Sequence, residues 1–203
     1  KEGFSHLMWV LLGNDDAAIV PSPSYPIHIY GPLFAGADLR QVPMRGLSHP
    51  EARDNFTENF FDSLHTAYDV GWPKPRVLVI SFPHNPTGYL MPAETYLGLS
   101  ALVRERKALL FSDEVYRESE HDPQERLPAG CDLGDHAVSL GVTSKTYGLA
   151  GLRIGWIATH NAELYARMAA LKDYTTICNS APSEFLAEIA LRHREQLAAR
   201  NLG

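Results

Sequence analysis

Cysteine is scarce in this sequence. Cys131 and Cys178 lie far apart, and neither belongs to a CxxC pair or to a spacing typical of metal ligands. The sequence therefore predicts no disulfide framework and no metal centre, and two isolated thiols are typical of a reducing compartment.

Long apolar runs are also lacking. No stretch of the sequence approaches the roughly 20 apolar residues that a transmembrane helix needs. No basic segment followed by an apolar one opens the chain, as a secretory signal would. We therefore expect a cytoplasmic protein without a membrane partner.

The sequence also lacks an excess of positive charge. The chain carries 18 Lys and Arg against 24 Asp and Glu, a formal net charge of −6, which argues against nucleic acid as its main partner. Its share of hydrophobic residues (45%) and of charged residues (21%) is that of an ordinary globular domain. The 203 residues fit one large domain or most of one.

Short apolar segments alternate along the chain with longer segments of helical periodicity. Several short segments are almost continuously apolar, which is typical of a mostly parallel sheet covered by helices on both faces. The sequence therefore predicts an α/β fold of three layers, with a polar, solvent-facing loop over 119–135. The predicted strands are 17–20, 38–42, 76–82, 108–112, 137–140 and 153–158, and the predicted helices are 3–12, 26–36, 57–68, 93–106, 161–172 and 183–199.

Residues that follow the predicted strands are the candidates for function. Ligands of open α/β sheets gather at the carboxyl ends of the strands, so side chains placed there can meet one ligand. Four segments occupy this position: PSPSYP (21–26), FPHNPTG (82–88), SDEVY (112–116) and SKTYG (144–148).

Three of these segments have two interpretations each. Asp113 follows a buried strand, and it either caps the next helix or pairs with a buried cationic ring nitrogen, since a buried carboxylate needs a cation or several donors. Asn85 lies in an ordinary turn or presents its amide at the ligand end of the sheet. Tyr25, among prolines that stiffen the backbone, is either core filler or a rigid aromatic plate for a flat ligand.

The fourth segment holds a lysine among small residues. Lys145 follows Ser144, and Arg153 lies eight residues beyond the lysine. A partly desolvated lysine loses the water that stabilises its ammonium form, so its pKa falls and the free amine can attack a carbonyl. Arg153 and Ser144 can both donate hydrogen bonds to a phosphate. The plainer alternative places Lys145 and Arg153 on a surface loop.

Taken together, the four segments resemble the class I/II aminotransferases, which are pyridoxal 5′-phosphate (PLP) enzymes of fold type I. The resemblance covers essentially the whole chain. It rests on four motifs in order: a proline-flanked Tyr-Pro turn, Asn-Pro-Thr-Gly, Asp-Glu-x-Tyr, and Ser-Lys with an arginine eight residues after the lysine.

The resemblance implies a role for each residue near the cofactor ring. Lys145 corresponds to the lysine that forms the internal aldimine with PLP and moves the proton between Cα and the cofactor's C4′. Asp113 corresponds to the partner of the pyridinium nitrogen, which keeps the ring a good electron sink. Tyr25 matches the aromatic side chain stacked on the ring, and Asn85 and Tyr116 match the residues that hydrogen-bond the ring oxygen O3′.

For the cofactor phosphate, the resemblance implies Ser144, Arg153 and the helix N-terminus at Lys1, where free amides form a natural anion site. It also implies cis peptide bonds before Pro23 and Pro86.

The sequence departs from the family pattern at two points. Val142 stands where the family often has a serine, so one phosphate contact is either missing or made by Thr143. No arginine lies near TTICNSAP (175–182), where members specific for dicarboxylates carry one, and this argues against aspartate as the amino donor. Asn179 and Ser180 are candidates to reach the phosphate of a partner subunit.

The start of the chain and the extent of the family indicate a piece of a longer protein. The chain begins at Lys1 without an initiator methionine. In the family, a second, smaller domain normally follows near Gly203 and carries the arginine that holds the substrate's α-carboxylate. The resemblance therefore implies that residues 1–203 are the PLP-binding large domain of a homodimeric enzyme, truncated at both ends.

The implied reaction is transamination between an amino acid and a 2-oxo acid through the Lys145 aldimine. A PLP-dependent β-lyase or cyclase of the same fold would use the same Lys145 and Asp113. A non-catalytic, aminotransferase-like domain of a transcription regulator is the alternative from another class. Segments 24–37 and 71–88 look closest to the alanine-type branch of the family, but they do not identify the donor.

Overall fold

Six strands form one sheet in the computed structural model, which describes residues 1–44 and 56–202. Every predicted strand is present, and no strand end is shifted by more than two residues. The strands are β1 (Ala17–Ser22), β2 (Asp38–Pro43), β3 (Pro75–Ser81), β4 (Leu109–Asp113), β5 (Ala137–Val142) and β6 (Gly155–Thr159).

α-Helices connect the first four strands, and of the predicted helices only the last one is divided in the structure. The predicted helix 183–199 is two helices, because the backbone leaves the helical region at His193 (φ −111°, ψ 22°). The helices are α1 (Glu2–Leu11), α2 (Pro26–Phe34), α3 (Phe56–Asp69), α4 (Ala93–Glu105), α5 (Ala162–Asp173), α6 (Ala181–Arg192) and α7 (Arg194–Leu202).

The strand order in the sheet is β2-β1-β3-β4-β5-β6. The first five strands are parallel, and β6 pairs with β5 in the antiparallel direction. This confirms the predicted mostly parallel α/β sheet. Because side chains alternate along a strand, the sheet presents one apolar set to each face.

The alternation is visible along β3, where the two faces belong to two separate cores. Leu78 and Ile80 pack into a core with side chains of α3 and α4. Val77 and Val79 pack into a second core with side chains of α1 and α5. The sheet is therefore the middle of three layers, as the sequence predicted.

The four candidate segments meet at one edge of this sheet. Since β1, β3, β4 and β5 are parallel, their carboxyl ends lie along the same side. Tyr25 follows β1, Asn85 follows β3, Asp113 ends β4, and Lys145 follows β5. The fold thus brings residues 120 positions apart in the chain to a common edge.

The loop 119–135 faces solvent over 121–125, as the sequence predicted, but other parts of it are buried. It contains two short 3-10 helices, and its Glu120 and Leu127 are only 6% and 7% exposed. Arg126 Nε donates to Glu120 Oε2 at 3.1 Å, which satisfies the buried carboxylate. The polar composition of the loop therefore serves internal hydrogen bonds and ion pairs as well as hydration.

Gly31 lets α2 approach α1 closely, and this contact generates a stability prediction. A Cβ at Gly31 would overlap Phe4 Cε1, and Phe4 is 1% exposed. Gly31→Ala gains about 1 kcal/mol of helix propensity but forces extra volume into a filled core, which costs about 1–3 kcal/mol. We expect a net loss in the free energy of unfolding, measured by urea denaturation. Gly151→Ala is the control, because its Cβ would meet nothing within 4 Å; a Gly31→Ala protein as stable as this control would contradict the packing argument.

Candidate active site

A buried carboxylate–histidine pair lies at the carboxyl end of β4. Asp113 Oδ2 is 2.7 Å from His28 Nε2, and the two residues are 5% and 1% exposed. The backbone N–H of Val115 donates to Asp113 Oδ1 at 3.2 Å. A carboxylate has about four acceptor positions, so Asp113 keeps acceptor capacity for a further donor at the sheet edge.

His28 is a site residue that the sequence interpretation missed. It lies on α2, three residues after Tyr25, and its ring is contacted edge-on by Phe4 and Tyr25 at centroid distances of 5.3 and 5.8 Å. Ser24 Oγ lies 3.3 Å from its other ring nitrogen, Nδ1. The available signal was a histidine one helical turn after the candidate aromatic residue, which places both side chains on the same helix face.

Tyr25 is held at the start of α2. It is the N-cap residue with φ −65° and ψ 134°, and Pro26 takes the first helical position, where proline is favoured. The ammonium of Lys1 lies 5.8 Å from the centroid of the Tyr25 ring. Tyr25 is partly exposed, so it is not core filler.

Asn85 and Tyr116 come together from two neighbouring strands. Asn85 Nδ2 lies 3.5 Å from Tyr116 Oη, the long limit of a hydrogen bond. Both side chains are partly exposed at the same sheet edge. The peptide bonds before Pro23 and Pro86 are cis, as predicted, and those before Pro73 and Pro83 are cis as well.

Three of the predicted phosphate ligands line one cavity of about 400 Å³. These are Lys1, Ser144 and Arg153, and Asn179 lines the same cavity. Lys1 is the N-cap of α1 and makes no side-chain cap, so the first amides of α1 are open to an anion. Lys145, Asp113, Tyr25, Asn85 and Tyr116 do not line this cavity, but Lys145 adjoins Ser144 in the chain and Lys1 lies over the ring of Tyr25.

Trp156 forms an apolar wall of this cavity. Its indole lies against Gly141, where a Cβ would overlap the ring. Trp156 also lines a second, smaller cavity of about 50 Å³ behind residues 146 and 147.

Arg153 reaches its position through an unusual backbone conformation. Its φ of 57° and ψ of 34° are in the left-handed region, which non-glycine residues seldom adopt. The guanidinium is exposed and donates to the carbonyl of Ala150 at 2.8 Å. Among residues 1–44 and 56–202 this is the one hydrogen bond of the guanidinium, so its other N–H groups can bind an anion.

Lys145 lies in the segment 143–149, which we call the lysine turn. The turn follows β5 and is closed by the hydrogen bond from Gly148 N to the Lys145 carbonyl at 2.8 Å. The predicted desolvation of Lys145 is wrong for this chain, because its side chain is exposed. Two of the small residues that suggested a buried setting, Thr143 and Thr146, bury their own side chains and leave the lysine on the outside.

Thr143 illustrates this inward orientation. It is fully buried (0% exposed), and its Oγ1 donates to the carbonyl of Ile154 at 3.2 Å. The expectation that Thr143 replaces the missing serine as a phosphate ligand is therefore wrong, and of the two alternatives the missing contact remains.

His84 connects the two proline-rich segments of the edge. It is 4% exposed, its Nδ1 lies 2.7 Å from Thr87 Oγ1, and its ring hydrogen-bonds the backbone of Pro23. Burial, with a further contribution from the neighbouring His28, lowers the pKa of His84 from 6.5 to about 4. His84 is therefore uncharged at physiological pH, and its hydrogen bonds link the segment that carries Asn85 to the segment that carries Tyr25.

The assembled edge combines an exposed amine, a buried carboxylate paired with an imidazole, and a helix N-terminus without a side-chain cap. An amine can attack a carbonyl, and a carboxylate in this setting can hold a protonated ring nitrogen. In the described ranges 1–44 and 56–202, no three His, Cys, Asp or Glu side chains are grouped as a metal would require. No helix in the same ranges has the length and apolar character to cross a membrane.

Comparison with known proteins decides the family. Residues 1–201 match the family model described as "Aminotransferase class I and II". The chain belongs to this family. This membership confirms the resemblance on which the sequence interpretation rested.

Individual relatives of this aminotransferase-family chain cover nearly all of it. Glutamate-pyruvate aminotransferase AlaC of Escherichia coli (strain K12) is 34% identical over 201 residues, which are 97% of this chain and 45% of AlaC. Capreomycidine synthase of Streptomyces vinaceus is 31% identical over 187 residues, 92% of this chain and 45% of that protein. A PLP-dependent aminotransferase structure from Streptococcus suis superposes with a TM-score of 0.80 at 26% identity, over 98% of this chain and 49% of that one. The chain thus spans about half the length of the relatives it matches.

The buried His84 generates a pH prediction for this family member. Below pH 6.5 the unfolded chain protonates residue 84, whereas the folded chain resists protonation until about pH 4, so stability falls as the pH drops from 7 to 4. In His84→Asn this contribution is absent, so the free energy of unfolding should fall less steeply with falling pH. The slopes of wild type and variant should differ by about 1 kcal/mol per pH unit. Urea denaturation at pH 7, 5.5 and 4.5 measures the slopes. His160→Asn, at an exposed position, should keep the wild-type slope; equal slopes in all three proteins would contradict the prediction.

Proposed function

We propose that this chain is the cofactor-binding part of a PLP-dependent transaminase that moves an amino group between an amino acid and a 2-oxo acid. The observation that carries the proposal is the buried Asp113–His28 pair at the sheet edge that also presents the lysine turn. Thr146, next to Lys145, hydrogen-bonds the carbonyl of Arg117 at 2.7 Å, so the turn lies against the segment that directly follows Asp113.

The residues at this edge fit the parts of PLP. The phosphate would be held by the amides at the start of α1 together with Lys1, Ser144 and Arg153, which share one cavity. The pyridine nitrogen would face Asp113, whose carboxylate has unused acceptor positions. Tyr25 would stack on the ring, and Asn85 and Tyr116 would bind its phenolic oxygen, since they already lie within reach of each other. When bound, PLP supplies an electron sink for the charge that develops at the Cα of the substrate.

The chain's own residues would perform three tasks in that reaction. Asp113, oriented by His28, holds a proton at the ring nitrogen, because a buried carboxylate strongly favours a cation beside it. Lys145 Nζ would move a proton between the substrate's Cα and C4′ of PLP, in one direction in each half of the reaction. Arg153 and the α1 amides would hold the phosphate of PLP, so that the cofactor stays in one position relative to Lys145 while the proton moves.

Transamination is supported over the other interpretations by the names of the relatives. AlaC and the Streptococcus suis protein are both named aminotransferases. The name of the Streptomyces relative describes that protein and is not transferred to this chain. No observation favours a β-lyase, a cyclase or a sensing domain for this chain.

The remaining expectations are part of the same proposal. We place the protein in the cytoplasm as a homodimer, and we take residues 1–203 as its PLP-binding large domain. Large apolar side chains exposed on the described surface, such as Phe34 at 70% and Phe185 at 63%, support a partner surface. The arginine for the substrate's α-carboxylate then belongs to the half of the relatives' length that this chain does not cover.

The first test asks whether Lys145 is the residue that bonds to PLP. Reduction of the full-length protein with borohydride in the presence of PLP should attach the reduced cofactor to the peptide that contains Lys145, detected by mass spectrometry. Lys145→Ala should remove this attachment because no other amine lies on the turn. Lys74→Ala, at an exposed position, should behave like the wild type. Equal labelling of Lys145→Ala and wild type would contradict the proposal.

The second test concerns the carboxylate. Asp113→Asn keeps the side-chain size but removes the negative charge that holds a proton at the ring nitrogen, so kcat should fall by about 10³-fold or more. Transfer of an amino group to a 2-oxo acid, followed by chromatography of both products, measures the rate. Asp15→Asn, at an exposed position, serves as the control. Activity of Asp113→Asn near that of the control would refute the assignment.

A further inference from the structure

The position of Lys145 depends on the backbone of its turn. The side chain is exposed, and among residues 1–44 and 56–202 its amine has no hydrogen-bonding or ion-pairing partner. A long side chain without contacts is placed only as well as its Cα is placed. Groups that hold the lysine turn therefore decide where the amine can reach.

Thr146 anchors the turn on one side. It is 5% exposed, and its Oγ1 donates to the carbonyl of Arg117 at 2.7 Å. Since a hydroxyl has one proton, the 2.8 Å contact with Ser119 must use the Ser119 hydroxyl as donor. Both partners belong to the segment that follows Asp113, so Thr146 joins the lysine turn to the carboxylate's own segment.

Helix α7 anchors the turn on the other side. Asn201 Nδ2 donates to the carbonyl of Thr146 at 2.9 Å. Gly148 lies directly against Asn201: its φ is +69°, and a Cβ there would come within 2.8 Å of Asn201 Nδ2. A glycine is thus required both for the turn and for the approach of the helix.

The opposite end of α7 reaches the same region through Glu118. Tyr147 Oη donates to Glu118 Oε2 at 3.1 Å, and Arg194 Nε lies 3.7 Å from Glu118 Oε1. Burial, with the nearby Glu118, raises the pKa of Tyr147 to about 12, so the phenol keeps the proton that it donates. Both ends of α7 are therefore tied to the lysine turn, one directly and one through this carboxylate.

We propose that Thr146 is a positioning residue for Lys145 and that α7, through Asn201, holds Thr146 in place. The inference rests on the proposed role of Lys145 and adds the hydrogen bonds that fix the position of the lysine. A purely structural role would lower global stability alone. A positioning role changes the local order of the turn and the lifetime of bound PLP while the rest of the fold remains intact.

The experiment compares Thr146→Val with Thr146→Ser in the full-length protein. Valine keeps the shape but removes the hydroxyl, whereas serine keeps the hydroxyl. Two readouts are needed: deuterium exchange of segment 143–149 without PLP, and the PLP release rate after dilution, followed by absorbance. We expect Thr146→Val to raise both about tenfold, in line with the loss of one buried hydrogen bond, and Thr146→Ser to stay within about twofold of wild type.

A second variant covers the case in which Thr146→Val does not fold. Asn201→Leu removes the amide donor without touching Thr146, and it should raise the same two quantities. Gln196→Leu, at an exposed position of the same helix, should change neither. Thermal midpoints that fall while exchange and release stay at wild-type values would overturn the proposal, as would failure of serine to retain the wild-type behaviour.

The two readouts separate this proposal from the proposed function. Wild-type protein that takes up no PLP at Lys145 would refute the function. Deuterium exchange of segment 143–149 would then still test whether Thr146 and Asn201 hold the lysine turn in place. Protein that takes up PLP normally, with Thr146→Val and Asn201→Leu indistinguishable from wild type in both readouts, would refute the positioning role while leaving the function intact.

Discussion

The hydrogen bond between Asp113 and His28 is the constraint on which the site depends. A carboxylate at the end of a central strand, 5% exposed, is tolerated only with a strong partner, and the partner comes from α2. The position of α2 is set in turn by its contact with α1, where Gly31 and the ring of His28 both lie against Phe4. Helix packing on one face of the sheet is therefore also the support of the site.

The site is arranged around backbone segments rather than around one deep pocket. The residues proposed to bind the cofactor phosphate line one cavity, whereas the residues proposed to bind the cofactor ring lie at the ends of the neighbouring strands. Each segment is fixed by internal hydrogen bonds, such as those of His84 for the proline-rich segments and of Thr146 for the lysine turn. This arrangement is typical of open α/β sheets, where rigid strands carry functional loops at their ends.

Much of this fold could be predicted from the sequence because its signals are local. Apolar segments such as 76–82 are recognisable as strands. If these strands are parallel, Asn85, Asp113 and Lys145 lie at one edge of the sheet. The pairing of His28 with Asp113 could not be found in this way, because the two residues lie 85 positions apart in the chain. The exposure of Lys145 was also beyond local signals, since small neighbours indicate a buried setting only if their side chains surround the lysine. The break at His193 lies within an uninterrupted helical pattern, so periodicity could not locate it.

The contact between Trp156 and Gly141 gives the protein a native optical reporter. The indole lies against Gly141 and forms part of the cavity wall shared with Ser144 and Arg153, so its emission should depend on what occupies that cavity. The other two tryptophans, Trp9 and Trp72, do not line this cavity and supply a steady background. Intrinsic fluorescence would therefore report, without any label, whether the cavity lined by Lys1, Ser144 and Arg153 is filled.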